Sequence, residues 1–143
     1  MNRLADNRLA DVTLLIGRLA LIALFVISAT GKFSNLSGTA ATLASKGLPA
    51  PMVLATVAAV GELAGALGVA VGLFTRVAAL GLVVFTILAS ITIHNYWILE
   101  GAARQGQFIH FMKNVGIIGG LLLVFGVGPG AFSLDAFRSR RRS

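Results

Sequence analysis

Residues 52–74 read MVLATVAAVGELAGALGVAVGLF, a stretch that is apolar or small throughout except for one acid, Glu62, near its middle. In a helix rising ~1.5 Å per residue it is roughly 34 Å long, enough to cross a ~30 Å hydrocarbon core with a slight tilt. Glu62 then sits close to the bilayer midplane. An ionised carboxylate there costs about 3 kcal/mol or more unless it is paired or protonated. Such an acid is either a functional site or one half of an assembly contact to Arg or Lys.

The rest of the chain has the same character. It is 57% hydrophobic and 12% charged, with a mean hydropathy of +0.89. A water-soluble domain of 143 residues cannot bury that much apolar surface, so the class is integral membrane protein, in one domain spanning residues 1–143. The net charge of +7 arises from 12 Lys and Arg against 5 Asp and Glu. Most of these cations lie at the ends of apolar runs, where they set topology and meet lipid headgroups. That distribution points to membrane lipid as the partner and away from nucleic acid. Cysteine is absent, which removes disulfides, thiolate redox chemistry and cysteine-ligated metal. Any redox role would need a bound cofactor or redox protein partners.

Four spans are expected. The first covers residues 12–30, interrupted by Arg18, with Lys32 just past its far end. The opening MNRLADNRLAD mixes Arg with Asp and the apolar run after it is too long for a secretory h-region, so this span reads as retained. A polar connection follows, in which residues 39–46 suit a short interfacial helix ended by Gly47 and the prolines of GLPAP. The second span is residues 52–74. Only Thr75 and Arg76 separate it from the third, residues 77–96, so these two should form an antiparallel αα-hairpin. The third span closes on His94, Asn95, Tyr96 and Trp97, the chemistry of a membrane interface. Residues 98–110 read as an exposed loop. The fourth span runs from about residue 111 to 127, and a basic tail covers 136–143. The expected fold class is all-α, a four-helix transmembrane bundle.

Arginine and lysine set its orientation. With four spans, Arg3, Arg8, Arg18, Arg76, Arg138, Arg140, Arg141 and Arg142 share one side, and Lys32, Lys46, Arg104 and Lys113 the other, 8 against 4. The bias predicts both termini in the cytoplasm. Gly61 with Gly65, Gly68 with Gly72 and Gly116 with Gly120 are spaced to let helices approach closely, within one bundle or in a homo-oligomer.

Two polar groups emerge. In depth, Arg18 and Glu62 differ by only ~6 Å, which predicts a buried Arg18–Glu62 pair. The alternative has Arg18 snorkelling to the interface and Glu62 protonated. At the other end, Lys32, His94, Asn95, Trp97, His110, Lys113 and Asn114 should converge, with Phe111 and Asn114 on one helix face. This cluster suits a polar headgroup, an anion or a quinone ring; the plain reading makes the lysines anchors and Trp97 a belt residue. Two histidines without a carboxylate pattern do not predict a metal site. Phosphate-binding loops, GxGxxG after a strand and HExxH are absent, and Ser28, Ser90 and Thr92 should bond back to their own helices.

The chain resembles the DoxX-like family of integral membrane proteins. The resemblance rests on GRLALIALFVISATGKF, GLPAP, GELAGALGVAVGLFTRVAAL, HNYW, FMKNVGIIGGLLL and GPGAFSLD in that order, covering nearly all of residues 12–135. It implies a four-helix bundle in a bacterial cytoplasmic (inner) membrane. Some such relatives are small subunits or anchors of quinone-linked oxidoreductases. Arg18, Lys32, Glu62, His94, Lys113 and Asn114 fall within the matching motifs, without assigned catalytic roles. Three functions follow as alternatives: a membrane subunit of a quinone-linked oxidoreductase system, a non-enzymatic structural or assembly protein, and a small proton-linked transporter using Glu62.

Overall fold

A computed structural model describes residues 3–141; Arg142, counted above in the basic tail, lies outside the described residues. Six α-helices follow one another: α1 (Arg3–Ser34), α2 (Leu36–Ser45), α3 (Pro51–Val71), α4 (Thr75–Thr92), α5 (Gly101–Val127) and α6 (Leu134–Arg140). A short 3₁₀ turn, Tyr96–Ile98, joins α4 to α5, and no strand occurs among the described residues. Four helices are long and apolar enough to cross a membrane. α1 packs on α3, α3 on α4 and α4 on α5, while α5 returns to touch α1, closing a four-helix bundle.

Periodicity explains the packing. The buried positions of α3 are Ala55, Ala59, Glu62, Ala66 and Val69, and those of α1 are Arg18, Ile22, Phe25 and Ala29. Both sets step by four and three, the seam of helices that cross at a shallow angle. Because three of the five α3 positions are alanine, the backbones come close, as small residues allow in lipid. Large apolar side chains such as Ile27, Val57, Val77 and Leu123 face outward instead. A soluble fold would hide them; here they are the lipid-facing surface.

The α3–α4 hairpin sets the register. A Cβ at Gly65 would lie 2.8 Å from Leu82 and one at Gly68 would lie 2.9 Å from the Ala78 Cβ, so these glycines admit the partner helix. Gly120 does the same for Leu21. Gly61 and Gly116, by contrast, have nothing within 4 Å. Gly72 ends α3 at φ 70 and Phe74 begins the next turn at φ 46, so the turn precedes Thr75 rather than using Thr75 and Arg76.

Several boundaries differ from expectation. α1 extends to Ser34, because nothing in GKFS forbids helix and Lys32 points into the bundle. α2 starts at Leu36, with the Asn35 side chain accepting from Gly38 N at 2.9 Å as its N-cap. Residues 98–110 are not a loop: α5 begins at Gly101, since Arg, Gln and Gly outside the apolar core do not prevent a helix. The tail also contains α6, capped by Ser133 Oγ accepting from Ala136 N.

Candidate functional site

Glu62 is 2% exposed and lies on the inner seam of α3. Its partner is Lys32: Nζ donates to Glu62 Oε2 at 2.6 Å. The same Nζ donates to Ser28 Oγ at 2.5 Å, one turn back on α1, and stands 5.7 Å from the centre of the Phe85 ring. An ammonium has three donors. Two are used by oxygens, and the ring offers its negative face to the cation. The Lys32 side chain remains 22% exposed. Ser28 therefore serves the lysine, while Ser90 and Thr92 bond back to Thr86 and Leu88 carbonyls as expected.

The Arg18–Glu62 pair is overturned. Lys32 continues the same seam as Arg18, two heptads further on and roughly 21 Å along the axis. The depth estimate failed because α1 does not end at the far interface. It ends level with the middle of α3, and α2, about 15 Å long, packs on α3 and matches the rise of about 16 Å from Pro51 to Glu62. The first crossing is thus a helix interrupted at Asn35, next to the ion pair.

Arg18 is buried at the opposite end of the bundle. Its Nη2 donates to the Phe132 carbonyl at 2.6 Å, while Nε and Nη1 have no partner. Asp135 supplies part of its electrostatic compensation. Asp135 itself is committed to the start of α4, accepting from Phe74 N and Thr75 N at 3.0 Å each and from the Thr75 hydroxyl at 2.8 Å. Its backbone N–H donates to Gly72 O at 2.8 Å. Asp11 Oδ1 accepts from Ala131 N at 2.8 Å. The segment after Gly128 is thereby fastened across the ends of α1, α3 and α4. Burial works to raise the Asp135 carboxyl pKa, but the Thr75 and Phe74 hydrogen bonds and the Arg138 charge outweigh it and hold it below the ordinary value.

The remaining candidate residues lie toward the His94 end, in separate groups. His94 Nδ1 donates to Gln107 Oε1 at 2.7 Å, and its ring stacks on His110 with centroids 5.2 Å apart. Asn114 Nδ2 donates to the buried Ser90 Oγ at 2.9 Å. Lys46 Nζ donates to Asn95 Oδ1 at 2.9 Å, pinning the end of α2 to the loop after α4. Trp97 joins Tyr96, Phe108 and Phe111 in an edge-to-face aromatic cluster. Lys113 is exposed on α5. No cluster of three or more metal-ligating side chains occurs among the described residues. An apolar groove lined by Leu9, Ala10, Thr13, Leu14 and Val127 lies at the Arg18 end, away from the histidines. Sequence reasoning missed Gln107 and Asp135, whose partners are 13 and 60 residues away.

Comparison with known proteins agrees with this architecture. Residues 13–95 match the family described as DoxX. The chain is 40% identical over 124 residues to inner membrane protein YphA of Escherichia coli (strain K12), covering 87% of this chain and 89% of that one. It is 32% identical over 135 residues to inner membrane protein YqjF of the same organism, covering 94% and 98%. A shorter likeness, 37% over 71 residues, relates half of this chain to 23% of the ER-derived vesicles protein ERV29 of Saccharomyces cerevisiae (strain ATCC 204508 / S288c). No solved structure matches. The apolar four-helix bundle, the family match and two near-full-length relatives identify the chain as a multi-pass inner-membrane protein of the DoxX family.

Proposed function

We propose that the protein is a membrane subunit of a quinone-linked oxidoreductase system, oriented with both termini in the cytoplasm as the Arg bias favours. The observation that carries this reading is the Lys32 ammonium, held inside the bundle by Glu62 and Ser28 beside the Phe85 ring yet still partly open. A lysine presented in apolar surroundings is a hydrogen-bond donor for a carbonyl oxygen. Glu62 holds that ammonium in place by a hydrogen bond, so the pair suits a headgroup that carries carbonyl oxygens. A quinone would supply the two-electron chemistry; these side chains would bind and orient it. With no cysteine in the chain, electrons would arrive through redox protein partners. Protein purified from quinone-containing membranes is expected to carry quinone in its organic extract, and Lys32→Met to lose most of it. Equal quinone in both, or phospholipid alone in both, contradicts the reading.

A second reading, a structural or assembly protein without chemistry, is favoured by one observation. Glu62, Asp11 and Asp135 are each committed to partners within the chain. Under this reading a Lys32→Met, Glu62→Met double variant keeps any co-purifying partner and loses no quinone-dependent respiration.

A further inference from the structure

The end of the bundle where α6 lies carries more than a basic tail. Arg8, Arg76, Arg138 and Arg141 are exposed there, together with Phe74, Phe132, Leu134 and Phe137, each at least 44% exposed among the apolar four. Asp11 and Asp135 belong to the same end but turn inward, onto the N–H groups of Ala131, Phe74 and Thr75. Asp11 and Asp135 are thus spent on backbone donors, and the exposed charges among the described side chains at this end are cationic.

Geometry arranges these cations on an apolar floor. The Arg138 guanidinium stands over the Phe74 ring at 5.7 Å, and the Arg141 guanidinium over the Phe137 ring at 4.5 Å. A guanidinium over a ring face has five N–H donors and keeps several of them available for oxygen. α6 is not a loose tail. Asp135 fastens it to the α3–α4 turn through both its carboxylate and its backbone N–H, and Ser133 caps it. The surface is therefore preorganised, with exposed aromatic rings and arginines held side by side.

We propose that α6 and the α3–α4 turn form a binding surface for the phosphate headgroup of an anionic phospholipid in the adjoining leaflet. The arginines contact phosphate oxygens while Phe74, Leu134 and Phe137 rest against the first acyl carbons. A soluble acidic partner would meet the arginines but would leave that apolar floor uncovered.

Native mass spectrometry of the full chain, released from micelles containing phosphatidylglycerol or phosphatidylcholine, tests this. Retention of phosphatidylglycerol over phosphatidylcholine is expected, reduced on the order of tenfold by Arg138→Gln with Arg141→Gln. The Lys versions of both positions should retain much of it. Arg104→Gln, removing an exposed cation from α5 at the other end of the bundle, should leave retention unchanged, and the circular dichroism melt of each variant reports folding. Equal retention of both lipids, or an equal loss from the α5 variant, overturns the proposal.

Discussion

Lys32 and Glu62 join α1 to α3 at 2.6 Å, level with Phe85 on α4, so one ion pair ties three helices together inside the apolar bundle. Both residues occupy seam positions between α1 and α3. The two partners are not equivalent. Lys32 is partly open whereas Glu62 is closed in, so each loss should have a different consequence.

Removing the lysine leaves the carboxylate stranded. Lys32→Met should destabilise by about 3 kcal/mol or more, the usual cost of a buried charge without its partner. Glu62→Gln should cost less, because the Lys32 stem can swing its ammonium toward its open side. Chemical unfolding in detergent, followed by circular dichroism, ranks the two; the reverse order contradicts this asymmetry.

Glycines of equal spacing should behave differently. Gly68→Val and Gly65→Ala put atoms within 3 Å of Ala78 and Leu82 and should destabilise by about 1–3 kcal/mol. Gly61→Ala and Gly116→Ala meet open space and should gain up to about 1 kcal/mol from helix propensity. Melting temperatures of the four variants check this.

Asp135 predicts an acid-sensitive anchor. Its carboxyl pKa is lowered in the folded protein, so its stabilisation is complete above the unfolded carboxylate value near 3.9 and is lost as pH falls through the folded value. Stability should therefore decline below about pH 4 in the wild type. Asp135→Asn should flatten that part of the profile and cost about 1 kcal/mol at neutral pH through the weakened α4 cap. Urea midpoints between pH 3 and pH 7 separate the two.

Arg18 is a buried cation with one hydrogen bond and two unpartnered nitrogens, and it does not contact Glu62. Exchange for an apolar side chain of similar length removes a desolvated charge without opening a void. Arg18→Met should match the wild-type midpoint within about 1 kcal/mol or exceed it, whereas Arg18→Ala should lose about 3 kcal/mol to the cavity. A deep loss in the Met variant would mean that the Phe132 contact matters more than the burial cost.

The bundle was legible because lipid imposes its rule on every span: length, apolar content and the short α3–α4 turn leave little choice. Burial of Arg18 and Glu62 was legible too, from their place within apolar runs. Their partners were not. Lys32 sits at a segment end, where a lysine ordinarily anchors at the headgroups, and only the break at Asn35 brings that end to mid-depth. The start of α5 was hidden because its polar residues lie outside the apolar window that marks a span, whereas the helix itself starts earlier, at Gly101. Asp135 went unrecognised because the backbone it caps lies 60 residues away, beyond any local capping pattern.

A double-mutant cycle on Lys32→Met and Glu62→Gln, read as unfolding free energy in detergent, tests the central pairing most directly. The account predicts a coupling of about 2–3 kcal/mol, with the double variant recovering much of what Lys32→Met loses, and additivity within about 0.5 kcal/mol when Arg18→Met replaces the lysine variant. Additive losses at Lys32 and Glu62, or coupling of Glu62 to Arg18, would contradict it.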